Sequence, residues 1–319
     1  MSRSMTGIEM EDVACPLGCP KDDEPVLAGR DLLHELPGIF AVVRCRTCGL
    51  MRTNPRPTRA TIGGYYPEDY GPYRGTRVTA TTSGPRRLSS LRNAVKEVLE
   101  LNTMRLPAVR PGRMLEIGCA SGAFLHAMAN RGWQVEGIEA SASAAACAAA
   151  LGYRVHTGTV EDAPAPAEPL DLIVGWMVLE HLHEPVQALR RLASWLNPSG
   201  WLVLSTPNAG AIDFRIFGSN WYPLQLPTHL YHFTPKSVAR MLAAVGWRLE
   251  RVHFQRVLVD PVASLGYVLA ARGMSSLGPR LVRFTEAPWY WAYALLPFAA
   301  VAAAFGQTSR MTLWARKAS

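Results

Sequence analysis

From residue 113 the chain alternates short apolar runs with helix-forming stretches. "RMLEIG" leads to "GAFLHAMANRG", "WQVEGIE" to "SASAAACAAALG", "LDLIVGWM" to "PVQALRRLASWLN", with "YRVHTG" and "GWLVLSTP" as further apolar runs. A strand that is apolar along its whole length has both faces covered, and strands separated by single helices pair in parallel. The alternation therefore predicts an α/β fold built on a sheet with helices on both sides. "TPKSVARMLAAVGW" adds a helix with Thr234 as N-cap, Pro235 at its first position and Gly246 as its stop. "RLERVHFQRV" and "RMTLWARK" close the series as strands.

Open parallel sheets bind ligands beyond the carboxyl ends of their strands, where helix N-termini face the crevice. The first such turn is "MLEIGCASGAF", in which Glu116 precedes Gly118, Cys119, Ala120 and Gly122. Small residues there let a ligand approach the backbone. The spacing fails the G-x-G-x-x-G fingerprint at its second glycine, and an acid inside the strand repels a diphosphate. A ligand with a cationic group suits Glu116 better. Glu139, in "VEGIEAS", ends the next strand where a carboxylate accepts hydrogen bonds from both hydroxyls of a ribose. A ribose, an ammonium, a sulfonium and no phosphate describe S-adenosylmethionine.

"LEIGCASGAFL", "VEGIEAS", "DLIVGWMVLEHLHEP", "GWLVLSTPN" and "HLYHFTPKSVARMLAAVGW", in that order, resemble the class I S-adenosylmethionine-dependent methyltransferases over roughly residues 110–256 and 308–317. The resemblance implies a Rossmann-like seven-stranded mixed sheet whose last strand runs antiparallel. It places Glu116, Gly118, Cys119, Ala120 and Gly122 around the methionine part of the cofactor and Glu139 on its ribose. Val160 and Glu161 match the region beside the adenine, and Trp176 and Met177 the residues that close over the cofactor.

A hydroxyl acceptor needs a base. His181 and His183 in "LEHLHEP", and His229, Tyr231 and His232 in "PTHLYHFTP", follow strand ends and are candidates. The "EH" pair resembles that of the ubiquinone-biosynthesis O-methyltransferases, which makes Glu180 and His181 a matched pair, with Glu184 a further candidate. The expected catalytic set is Glu180, His181, His229 and His232.

Four of the six cysteines lie in two short motifs, "CPLGC" and "CRTCGL". Cys15, Cys19, Cys45 and Cys48 suit tetrahedral Zn²⁺, and a module this small lacks the core to fold without it. Residues 1–84 are therefore expected to form a structural zinc ribbon and linker. Residues 85–319 then form the catalytic domain, opened by a helix bearing Leu88, Leu91, Val95, Val98 and Leu99. The layout resembles bacterial methyltransferases associated with sugar and glycan biosynthesis. That implies a small-molecule acceptor, a saccharide or lipid-linked glycan.

An apolar insertion, 258–306, precedes the last strand. Its segment "APWYWAYALLPFAAVAAAFG", 287–306, lacks charge and carries Trp289, Tyr290, Trp291 and Tyr293. It reads as a buried hairpin, an interfacial segment or a marginal span. The amino terminus lacks an apolar stretch of signal-peptide length, so the expected location is the cytoplasm, with peripheral contact at the inner face of the membrane. The net charge of +8 raises an RNA methyltransferase as a rival. The absence of an Asn-Pro-Pro-aromatic motif and of interleaved basic and aromatic residues disfavours nucleic acid. A non-catalytic, cofactor-binding scaffold at a membrane is the other alternative. His34, His126, His156 and His253 read as core or surface residues.

Overall fold

The computed structural model describes residues 7–66, 104–284 and 290–318, with no side chains for 290–293. The helix expected around Leu88–Leu99, the linker from residue 67, and the side chains of Trp289, Tyr290, Trp291 and Tyr293 lie outside the described residues.

The amino-terminal module contains β1 (Met10–Glu11), β2 (Asp23–Gly29), β3 (Phe40–Cys45), β4 (Met51–Thr53) and β5 (Arg56–Pro57). β1 pairs with β5, and β2, β3 and β4 form an antiparallel sheet. The carboxy-terminal part supplies β6 (Arg113–Ile117), β7 (Gln134–Glu139), β8 (Arg154–Thr157), β9 (Leu170–Trp176), β10 (Leu196–Pro207), β11 (Tyr231–His232), β12 (Trp247–Phe254) and β13 (Arg310–Lys317). Seven of these form the expected sheet, in the order β12-β13-β10-β9-β6-β7-β8. From β10 to β8 every neighbouring pair is parallel, whereas β13 is antiparallel to both β10 and β12. β9 shows why these strands carry apolar runs: Leu170, Leu172, Ile173 and Val174 are all fully buried.

The helices are α1 (Ala123–Ala129), α2 (Ala142–Ala150), α3 (Pro185–Trp195), α4 (Ile212–Phe217), α5 (Pro235–Ala244), α6 (Val259–Ala271), α7 (Leu277–Arg283) and α8 (Tyr290–Ala304). α3 buries Ala188, Leu189, Leu192 and Trp195, a stripe of helical spacing that packs in one core with Met241 and Leu242 of α5. α5 starts as its sequence predicts. Thr234 Oγ1 accepts from the Ser237 N–H, and Ser237 Oγ accepts from the Thr234 N–H. Such a cap is worth about 1 kcal/mol.

The insertion is tied down at both ends. Asp260, at the start of α6, is fully buried and forms a bidentate ion pair with Arg310 of β13 at 2.6 and 2.7 Å. Asn208, just beyond β10, donates to the carbonyls of Gly306 and Thr308. α8 runs for 15 residues and contains Pro297. Among the described residues no helix is long and apolar enough to cross a membrane, so the span is not supported. Phe298, Val301 and Phe305, on one face of this segment, are 70%, 61% and 76% exposed, which a wholly buried hairpin does not explain.

The two modules share a sheet. β11 pairs antiparallel with β4, so the amino-terminal sheet has the order β11-β4-β3-β2 and takes its edge strand from the carboxy-terminal part. The Thr53 N–H donates to Leu230 O at 2.9 Å, and the Thr53 hydroxyl to His229 O at 2.7 Å. Arg56 continues the seam. Its guanidinium donates to Glu11, to the Tyr231 hydroxyl and to the His183 carbonyl.

Candidate functional site

Glu116 and Glu139 end neighbouring strands, with Glu116 paired to Gly137 in the β6–β7 ladder and Glu139 two residues further along β7. Both are buried, at 3% and 5% exposure. The Glu139 carboxylate accepts from the Ala120 N–H and the Ser141 N–H, both at 2.8 Å, which fixes its orientation across the loop. Each oxygen keeps a further lone pair for a ligand hydroxyl. Burial raises its pKa against those two N–H groups. Glu116 is less well compensated. Its Oε2 has no hydrogen-bond partner. Burial first, then the charge of Glu139, pushes its carboxyl up to about 8. An unpaired acid in such a place is where a cationic group would be held.

The loop between β6 and α1 is left-handed at Gly118 (φ 67°), Ala120 (φ 46°) and Gly122 (φ 83°). A Cβ on Gly118 would lie 2.5 Å from Val178 Cγ2, so the glycine lets this loop meet the loop after β9. The Cys119 side chain is 3% exposed and packs against Gly137, and burial raises its thiol pKa. It fills space and is no nucleophile. Val160 is likewise buried in the core, whereas Glu161 Oε2 lies 3.4 Å from Arg59 of the amino-terminal module. Trp176 stands edge-on to Phe124 at 5.2 Å with its Nε1 buried and unpaired. Met177 follows at φ 56°, its N–H on the Ser205 hydroxyl and carbonyl.

Beyond β9 the chain makes a short turn, Leu179–His181, that brings Glu180 and His181 to His229. One ligand atom from each lies within 4.8 Å of the others. The two imidazoles meet edge to face with centroids 4.6 Å apart. Their tautomers follow from their partners. His181 Nδ1 is 2.9 Å from Thr228 O and His229 Nδ1 is 2.8 Å from Pro223 O. A carbonyl only accepts, so both Nδ1 atoms carry hydrogen and both Nε2 atoms keep lone pairs. Glu180 is fully buried, and neither carboxyl oxygen makes a well-formed hydrogen bond. Burial pushes its pKa up to about 8, that of His181 down to about 4, and that of His229 well below its usual value. Two imidazole lone pairs and a carboxyl group thus lie close together, an arrangement that can hold a proton or a cation.

The remaining candidates fall elsewhere. His232 sits on β11 with Nε2 3.1 Å from Thr53 Oγ1, and burial lowers its pKa to about 3. It is part of the seam between modules, outside the Glu180–His181–His229 group. His183 Nε2 lies 3.2 Å from Pro57 O, while Tyr231 and Glu184 face Arg56. Sequence reasoning missed Tyr66, whose hydroxyl is 2.9 Å from His181 Nδ1. It belongs to "GGYY", within the residues 1–84 expected to form only the ribbon and linker. Because Nδ1–H already points at Thr228 O, the Tyr66 oxygen shares that hydrogen as an acceptor.

Cys15, Cys19, Cys45 and Cys48 place their Sγ atoms within 4.8 Å of one another. Gly18 and Gly49, at φ 73° and 77°, close the two tight turns, with the Gly49 N–H donating to Cys45 O at 2.8 Å. The donor set and geometry fit a tetrahedral dication.

Residues 91–252 match the family model described as "Methyltransferase domain". Ubiquinone biosynthesis O-methyltransferase from Bradyrhizobium diazoefficiens is 31% identical over 211 residues, covering 60% of this chain and 82% of that protein. The protein of the same name from Rhodopseudomonas palustris is 30% identical over 174 residues, covering 51% of this chain and 68% of that one. A solved S-adenosylmethionine-dependent methyltransferase from Mesorhizobium loti aligns with a TM-score of 0.45 at 17% identity, covering 70% of this chain and 96% of that one.

Proposed function

The chain belongs to the class I S-adenosylmethionine-dependent methyltransferases, and from that premise we propose that it methylates a hydroxyl of a small-molecule acceptor in the crevice after β9. The observation that carries this reading is the convergence of Glu180, His181 and His229 at a strand end. An acceptor hydroxyl must lose its proton as its oxygen takes the methyl group, and a group with a pKa near the working pH accepts it best. Held at about 8, Glu180 meets that condition better than either histidine. His181 and His229 stay neutral and direct lone pairs at the same point. His181 is the partly exposed member of the three, so the acceptor approaches past it and Tyr66.

The bound cofactor supplies a methyl group on a cationic sulfur, with Glu116 and the Gly118–Gly122 loop at its methionine part and Glu139 on its ribose. Val160 and Glu161 flank the adenine, and Trp176 and Met177 cover the bound molecule. The four cysteines hold a structural zinc ion. The names of the two relatives support oxygen as the methylated atom. A saccharide or lipid-linked glycan is the finer reading of the acceptor, drawn from the resemblance of the module order. Peripheral membrane contact through 287–306 has its support in exposed Phe298, Val301 and Phe305.

The test is transfer of labelled methyl to a panel of hydroxyl acceptors by the full chain, by Glu180→Gln and by His229→Ala. Turnover should fall about 100-fold or more in Glu180→Gln, the low end for a lost general base. His229→Ala should fall less, and both should bind cofactor as the parent does. Undiminished turnover in both variants would remove the cluster from the chemistry.

A further inference from the structure

A hollow of about 310 Å³ lies on the seam between the modules, apart from the Glu180 cluster. Four cations from three elements line it: Arg44 of β3, Arg215 of α4, and Lys236 and Arg240 one turn apart on α5. No carboxylate is among its lining residues. Arg44 is paired with Glu24 at 3.0 Å. Arg240 Nη1 donates to the Cys48 carbonyl at 2.7 Å, which pins its guanidinium to the wall of the hollow. Among the described residues no carboxylate lies within ion-pair distance of Arg215 or Lys236. Folding alone gives no reason to gather four like charges around one space, since each raises the cost of the next.

The position is informative as well. Ala209 and Gly210 line the hollow directly after β10, and Thr234 lines it two residues after β11. It therefore opens at the carboxyl-end side of the sheet, where this architecture places ligands. Met51, which lines the hollow, pairs with His232 in the β11–β4 ladder that follows the segment with His229. A lone carboxylate would engage one guanidinium. A phosphate or diphosphate offers enough oxygens for three guanidinium groups and an ammonium at once.

We propose that this hollow anchors a phosphate or diphosphate group through Arg44, Arg215, Lys236 and Arg240. Resting on the methyltransferase reading, it makes the acceptor a phosphorylated or diphosphate-linked small molecule, positioned by its anionic end while its hydroxyl meets the Glu180 cluster. The second cysteine turn supplies one wall through Cys48 and Gly49, so the metal-binding module shapes the anchoring site.

The test is calorimetric titration of the full chain with inorganic pyrophosphate at low ionic strength, beside the double variant Arg215→Gln/Lys236→Gln. Both side chains are exposed and unpaired, so the variant should fold; metal content and cofactor affinity equal to the parent's verify this. The parent should bind pyrophosphate saturably, and the variant about tenfold or more weakly. A second arm uses vesicles with and without anionic lipid. Pyrophosphate binding that depends on the two cations, with vesicle binding unaffected, supports the proposal. No saturable pyrophosphate binding, equal binding by both proteins, or cation-dependent binding to anionic vesicles alone overturns it. Pyrophosphate bound by a chain that takes no S-adenosylmethionine would instead sink the methyltransferase reading and leave the anion site standing.

Discussion

Glu116→Gln should move stability and cofactor affinity in opposite directions, and the size of each follows from the site. In the unfolded chain this carboxyl titrates near 4.5; in the folded protein burial and the charge of Glu139 hold it at about 8. Between those values the folded state keeps a proton that the unfolded state has lost. Stability therefore falls as pH rises through the window, by up to about 1.4 kcal/mol per pH unit. By pH 7 the loss reaches about 3 kcal/mol at most, and at pH 5 it is below about 1 kcal/mol. Glutamine has the same shape and no charge at any pH. The variant should be more stable than the parent by up to about 3 kcal/mol at pH 7 and nearly equal to it at pH 5. Losing the anion proposed to face the cofactor's ammonium should weaken binding by about 1.5–3 kcal/mol. Urea unfolding of the cofactor-free proteins across pH 5–8, with cofactor calorimetry at pH 7 and 8, measures both. Glu180 titrates over the same range in both proteins, so the difference between them isolates Glu116. A stability gain that does not vary with pH, or cofactor affinity left intact, would refute the reasoning.

Glu139→Ala should weaken cofactor binding by about 1–3 kcal/mol and free the Ala120 N–H; unaltered affinity by calorimetry would contradict the ribose assignment. Gly118→Ala meets both a φ of 67° and Val178 at 2.5 Å, for a combined destabilisation of about 2–5 kcal/mol. Val178→Ala added to it should recover the packing share in urea unfolding, and no recovery would show that the contact is not responsible. With zinc held by the four cysteines as proposed, chelation should expose residues 7–66 to hydrogen exchange and abolish turnover together, because β11 then loses its partner strand. Full activity in metal-free protein would disprove that coupling.

The large sheet is legible in the sequence because strands covered on both faces are mostly apolar, as Leu172–Val174 are, and because the helices between them carry their own start signals, as at Thr234. β11 is not legible. Two residues have no periodicity, and their partners Met51 and Arg52 lie some 180 positions earlier. Separations of 176 and 115 residues likewise hide the Thr53–His229 and Tyr66–His181 contacts from any local pattern. The four cysteines announce themselves through spacing, which requires no knowledge of the rest of the chain. For the candidate histidines, residue type and loop position are visible but environment is not. His229 and His232 stand three residues apart and read as one group, yet the β11 pairing assigns the second to the seam. The elevated proton affinity of Glu180 arises from burial, and burial is a tertiary property.

The strand that the catalytic part lends to its neighbour also limits how this chain can be divided. A fragment reduced to residues 91–252, the span of the family match, would carry Tyr231 and His232 with their backbone hydrogen-bonding groups bare. Such an unprotected margin invites self-association of the fragment. Exchange of the front module between relatives faces the same demand, since a transplanted ribbon must present a border of matching register to these two residues.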